Sequence, residues 1–153
     1  MQPCLVISHR IHTEVLEMLS HSFRVVPNMA SEPLSREELL RRSLEADALI
    51  ISGSDLIDRS FVKACPRLKI IAAVLEGSGN ADVQACTESG VWFTSNGSET
   101  LSGPHIGSAT DEARRLRILD AAACVFEALS GQKPKGAINH PSKRKFISTT
   151  AQL

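Results

Sequence analysis

The first 95 residues alternate between two hydrophobic rhythms. Short, mostly apolar runs stand at Leu5-Val6-Ile7, Phe23-Arg24-Val25-Val26, Ala48-Leu49-Ile50-Ile51, Lys69 to Leu75 and Val91-Trp92-Phe93-Thr94. Between them the apolar positions fall three and four apart, as in Thr13 to Leu19, where Val15, Leu16, Met18 and Leu19 cluster on one face. The first rhythm predicts strands and the second helices. Strands that are apolar on both faces belong to a parallel sheet covered by helices on each side. Five such units predict a doubly wound, flavodoxin-like α/β domain with five parallel strands in the order 2-1-3-4-5. Ligands of such sheets bind beyond the carboxyl ends of the strands, which directs attention to the loops Ser8 to His12, Ser52 to Leu56 and Glu76 to Asn80.

Local signals set the helix ends. Ser35 with Glu38 three residues on forms a capping-box pattern ahead of Leu39, Leu40 and Leu44. Asp58 is placed to cap a short helix through Phe61, Val62 and Ala64 that Pro66 stops. A further short helix, from about Ala81 to Glu88, ends at Gly90. After Thr110 one long helix is predicted, with Leu116, Leu119, Ala123, Phe126 and Leu129 three or four apart and Gly131 closing it. Asp111, Glu112, Arg114, Arg115 and Arg117 then form its solvated face.

Composition narrows the function classes. The chain has 153 residues, 42% hydrophobic, enough for one domain with a real core. Seventeen basic residues balance seventeen acidic ones, so no global field draws in nucleic acid or an anionic membrane. Cys4, Cys65, Cys86 and Cys124 are widely spaced with no CxxC pair, which reads as reduced core thiols of a cytoplasmic protein. No basic segment leads into a long apolar run, and no stretch reaches membrane-spanning length. Lys143-Arg144-Lys145 has no aromatic platform beside it and reads as part of a solvated tail over residues 141–153.

Candidate chemistry is sparse. The stretch EGSGNAD, residues 76–82, follows a strand and opens a helix, as a phosphate-binding loop would. It offers Gly77 and Gly79, but Asp82 stands where the third glycine of GxGxxG belongs, and a carboxylate there opposes a pyrophosphate. The alternatives are a loop whose backbone N–H groups meet a small carboxylate, or a plain strand-to-helix turn. His9 and His12 have no evident third metal ligand, so they read as surface or capping histidines. His105 sits between Pro104 and Ile106-Gly107, where a fixed backbone would hold an imidazole for proton transfer, although an imidazole near a helix start is also common without a chemical role.

Three stretches taken together resemble the D-isomer-specific 2-hydroxyacid dehydrogenases, in particular the branch near phosphite dehydrogenase and the glyoxylate or hydroxypyruvate reductases. They are LVISHRIHTEVLEML, VKACPRLKIIAAVLEGSGNADVQACTESGVWFT and GPHIGSAT, and the likeness extends to GQKPKGAIN. It implies an oxidoreductase lineage in which a substrate domain leads into a complete NAD or NADP domain and a terminal helix returns. It implies His105 as the acid/base histidine, and Glu76, Gly77 and Ser78 as the loop whose amides hold the substrate carboxylate. Two positions depart from the pattern: Glu76 replaces the cation of the phosphite dehydrogenases, and Gly79 replaces the Asp of G-x-D-N.

In the family the PHIGS motif lies beyond the nucleotide domain, whereas here it follows the fifth strand almost at once. Residues 95–103 span at most about 30 Å when extended, too little for a nucleotide fold. The resemblance therefore implies one substrate domain built from residues 1–94 and 104–140 and joined by the linker 95–103. Two readings follow. One is an engineered or truncated scaffold that holds no NAD or NADP and has no turnover by itself. The other is a weak 2-oxoacid or 2-hydroxyacid anion module, or a partial enzyme needing a nucleotide domain in trans. A monomer is expected, because the family's dimers are built chiefly through the nucleotide domain.

Overall fold

The computed structural model describes residues 2–52, 55–74, 80–95 and 111–141, with side chains of the last segment taken from Arg115 onward. Five strands, β1 (Cys4–Ile7), β2 (Arg24–Val26), β3 (Ala48–Ile51), β5 (Ile70–Ala73) and β7 (Trp92–Ser95), form one parallel sheet in the order β2-β1-β3-β5-β7. Numbered among themselves, these strands run 2-1-3-4-5, as the hydrophobic rhythm predicts. The helices are α1 (Thr13–Ser20), α2 (Arg36–Ser43), α3 (Arg59–Ala64), α4 (Val83–Glu88) and α5 (Asp111–Leu129). One element was not legible: β4 (Leu56–Ile57) and β6 (Asn80–Ala81) make a two-residue parallel pair beside the sheet.

Period-two alternation divides each strand between two cores. Val6, Leu49, Ile51, Ile71 and Phe93 point to the face that carries Leu39 of α2, Phe61 and Val62 of α3, and Ala85 and Cys86 of α4. Leu5, Ile7, Ile50, Ile70 and Trp92 point to the opposite face, where Val15 and Leu19 of α1 meet α5. All four cysteines are buried and none forms a disulfide. Burial pushes the Cys86 thiol up to about 12, so it is an inert apolar group at neutral pH.

The predicted caps form through main-chain donors. Glu38 N donates to Ser35 Oγ at 3.2 Å, while the Glu38 carboxylate turns away to Arg41 and Arg42. Only half of the capping box is therefore made. Phe61 N donates to Asp58 Oδ1 at 2.9 Å. The Arg36 guanidinium, that amide and the Ser60 hydroxyl hold the Asp58 carboxyl at about 2.

For α5 the structure corrects the predicted face in part: Leu119 and Leu129 reach the core cluster, while Leu116, Ala123 and Phe126 do not. Ile118, Ala121, Ala122, Val125 and Ala128 pack onto the sheet, whereas Phe126 is 58% exposed and Leu116 40%. Leu119 is partly buried against the same cluster. Both stripes repeat at helical spacing, and the one with small alanines wins because it lets the helix axis approach the sheet closely.

Two sets of polar contacts bind the sheet at its margins. At the amino ends of the strands, Lys69 Nζ donates to Asp47 Oδ1 at 2.8 Å, and Cys4 N donates to Asp47 Oδ2 at 2.8 Å, all within buried surroundings. At the β7 edge, the chain after α5 returns as an antiparallel partner: Ser95 N donates to Gly136 O at 3.0 Å and Ile138 N to Phe93 O at 2.9 Å. Asn139 locks it there, accepting from Phe93 N at 2.8 Å and donating to Val91 O at 3.0 Å. Strand β7 thus includes Ser95, which the sequence assigns to the linker, and buried Pro141 extends the docked segment.

Candidate functional site

At the carboxyl ends of β1 and β3 the chain leaves the sheet through Ser8 and Ser52, and one buried carboxylate holds both. Asp55 Oδ2 accepts from Ser8 Oγ at 2.5 Å and from Ser52 N at 2.9 Å. Asp55 is only 5% exposed, so these donors replace the water that an ionised carboxylate needs. The loop after β2 is tied in by Asn28, whose Nδ2 donates to Ser8 O at 3.0 Å. Ser8 Oγ also lies 3.4 Å from His9 Nδ1. Because the Ser8 proton is directed to Asp55, that contact requires the His9 Nδ1–H to donate, leaving Nε2 as an acceptor. Burial lowers the His9 imidazole from its ordinary value, and the Asp55 carboxylate opposes this only in part.

Beyond this lock opens a cleft of about 700 Å³. Ile11, Val15, Val74 and Ile118 give it an apolar floor, and His9, Arg10, His12, Arg115 and Arg117 bring basic groups to its wall. Thr13, Met29 and Ser31 complete the lining. Arg115 forms an ion pair with Glu14 at 2.7 Å. The cleft therefore joins the β1–α1 loop, the loop after β2, the end of β5 and the second turn of α5.

This arrangement revises the sequence reading in one respect. Arg115 and Arg117, assigned to a solvated helix face, line a concavity beside buried Ile118. Nothing in the spacing of α5 reveals this, since it depends on which loop crosses the helix. Arg10 lies in the loop Ser8 to His12 to which the sheet order points, though nothing in the sequence singled out its side chain. Asp55 was legible only as one polar residue in a loop at the right end of the sheet.

Glu76, Gly77, Ser78 and His105 lie outside the described residues, as do Gly79 and the Lys143-Arg144-Lys145 cluster. Asn80, at the end of the same loop, pairs in β6 with Leu56. Asp82 is the N-cap of six-residue α4, its Oδ1 accepting from Ala85 N at 3.0 Å. A carboxylate already occupies the helix end that a dinucleotide pyrophosphate would need, so the described residues do not fit that group. Among them there is also no cluster of three or more His, Cys, Asp or Glu able to hold a metal, and no helix long and apolar enough to cross a membrane.

Comparison with known proteins agrees with this geometry. The profile of the D-isomer specific 2-hydroxyacid dehydrogenase catalytic domain matches residues 5–139. A glyoxylate reductase from Thermococcus onnurineus (strain NA1) is 32% identical over 146 residues, 92% of this chain and 42% of that protein. One from Aeropyrum pernix is 34% identical over 127 residues, 83% of this chain and 36% of that protein. Among solved structures, the PH0520 protein from Pyrococcus horikoshii OT3 superimposes with a TM-score of 0.56 at 27% identity, over 63% of this chain and 28% of that one. A 2-hydroxyacid dehydrogenase from Ketogulonicigenium vulgare Y25 shares the fold with a TM-score of 0.54 at 23% identity, over 95% of this chain and 45% of that one. The chain thus spans less than half the length of each of these relatives.

Proposed function

Because the chain belongs to the D-isomer-specific 2-hydroxyacid dehydrogenase family, we propose that it is the substrate domain of such an enzyme standing without its nucleotide domain, and that it has no turnover by itself. The observation that carries this reading is the return of α5. Strand β7 ends at Ser95 and α5 begins at Asp111, and both pack in the same domain, α5 against β3, β5 and β7. Only residues 96–110 lie between them. A nucleotide-binding fold needs on the order of 100 residues or more. Hydride transfer requires a cofactor held against the substrate, and α4 already carries its own capping carboxylate.

The partner left to such a domain is a small 2-oxoacid or 2-hydroxyacid anion, met by the backbone of Glu76, Gly77 and Ser78, with His105 in the acid/base position. Its surroundings are cytoplasmic, a setting supported by four buried cysteines that form no disulfide. With the family's principal dimer interface absent, the chain is a monomer, which light scattering over a concentration series checks. The functional test is NADH fluorescence with and without glyoxylate. The expected result is no oxidation beyond the protein-free rate; oxidation that disappears in His105→Ala overturns the proposal.

A further inference from the structure

We propose that His9 makes the cleft a site for a small alcohol-bearing ligand, whose hydroxyl donates a hydrogen bond to the imidazole Nε2. The positions of the protons follow from the donors around Asp55. Its Oδ2 accepts from Ser8 Oγ at 2.5 Å, from Ser52 N at 2.9 Å and from Ser52 Oγ at 3.2 Å. An oxygen that accepts three donors carries no proton of its own, so the one hydroxyl proton of Ser8 is committed to it. The contact of Ser8 Oγ with His9 Nδ1 at 3.4 Å then requires the ring to donate into a Ser8 lone pair. A neutral imidazole has a single N–H. Nε2 is therefore the acceptor of the pair.

The cleft meets that acceptor. Nδ1 is turned to Ser8, which is wholly buried beside Asp55, so the ring edge that His9 gives to the cleft is the one carrying Nε2. Among the described residues Nε2 has no hydrogen-bond partner. Burial lowers the His9 imidazole from its ordinary value, so the ring stays neutral in mildly alkaline solution and keeps its lone pair. The arginines of the same wall can only donate, whatever they are bonded to, and cannot take a ligand's hydroxyl proton. His9 supplies what they lack: an alcohol proton finds an acceptor there, whereas a carbonyl oxygen in the same place would face a second lone pair. Ile11, Val74 and Ile118 give a short carbon skeleton an apolar floor, and about 700 Å³ falls in the range of small-molecule sites. The ring is also oriented before any ligand arrives. Asp55 fixes Ser8, and Asn28 Nδ2 donates to Ser8 O at 3.0 Å and to Glu32 O at 2.7 Å, so little ordering is left to binding.

The test titrates the full chain with lactate, pyruvate and 2-methoxypropionate at about pH 8, where an imidazole is neutral. The three anions carry equal charge and only lactate has a hydroxyl proton, so whatever the arginines contribute cancels in the comparison. Nitrogen NMR of the His9 ring should show Nδ1 protonated and Nε2 bare in the free chain, and lactate should shift Nε2 saturably. Pyruvate and 2-methoxypropionate should bind there more weakly by about twofold to tenfold, the net worth of one hydrogen bond. His9→Asn keeps an N–H for Ser8 but removes the acceptor, so backbone shifts at residues 10–13 should then rank the three anions alike. Ser8→Ala tests the positioning role: Asp55 keeps Ser52, the ring loses the partner of its Nδ1–H, and the preference for lactate should fall as the proton moves to Nε2. A proton on Nε2 in the free chain, no saturable response to lactate, pyruvate bound as tightly as lactate, or a preference that survives His9→Asn overturns the proposal. None of these readings involves NADH, so they stand or fall apart from the absence of turnover.

Discussion

Single residues carry unequal weight. Lys69 and Asp47 form a buried pair whose other oxygen takes the Cys4 amide, so removing the lysine leaves the buried carboxylate to that amide and to the more distant Arg67 guanidinium at 3.7 Å. Lys69→Met should therefore lower stability by about 3–5 kcal/mol, read from the urea midpoint. His9 makes a prediction about pH. Burial holds its folded value below the ordinary 6.5, so between the two values the unfolded chain binds more protons. Stability is retained above about pH 6.5 and falls as pH drops below it toward the lower folded value. In His9→Asn that part of the slope should vanish, which denaturation at a series of pH values reads directly. An unchanged slope would locate the titration elsewhere. Asp55 shows where sequence reasoning stops at this scale: the loop was identifiable, but its partner Ser8 is 47 residues away and only the strand order brings them together.

Elements were legible in proportion to how locally they are determined. The strands of the main sheet, the Asp58 cap and the order of helices follow from runs and spacings within a few residues. The face of α5 does not, because two apolar stripes compete and the sheet decides between them. The choice is measurable: Ile118→Ala should cost about 2–5 kcal/mol, whereas Phe126→Ala should stay within about half a kcal/mol. Equal losses would place the helix in another rotation. The stretch after Gly131 lacks periodicity, so although the family likeness reaches GQKPKGAIN its place in the fold was not legible, yet it supplies the antiparallel partner of β7. Its bend depends on Gly136, whose φ of +76° is unfavourable for a side chain and whose added Cβ would stand 2.8 Å from Ser95 O. Gly136→Ala should destabilise by about 1–2 kcal/mol or more, since backbone rather than a flexible side chain blocks the space.

At the scale of the whole molecule, the sequence revealed the architecture and the family but not the basic cleft. The sheet is encoded by composition of runs, whereas the cleft is assembled from two loops, the end of β5 and helices α1 and α5, which meet only after folding. The two cores share the same strands, so the domain should unfold in one cooperative thermal transition, and separate melting of the two faces would contradict this. The docking of residues 136–139 on β7 also governs how copies of the chain behave toward one another. A parallel sheet ends in two open ladders, each able to recruit a strand from another molecule. The β2 side is short, three residues with Arg24 exposed, and offers little template. The β7 side is longer and apolar, and the chain's own return segment occupies it. Asn139 is thus a guard against aggregation as much as a packing residue: if its hold is lost, the exposed ladder becomes the place where fibrils or swapped assemblies begin.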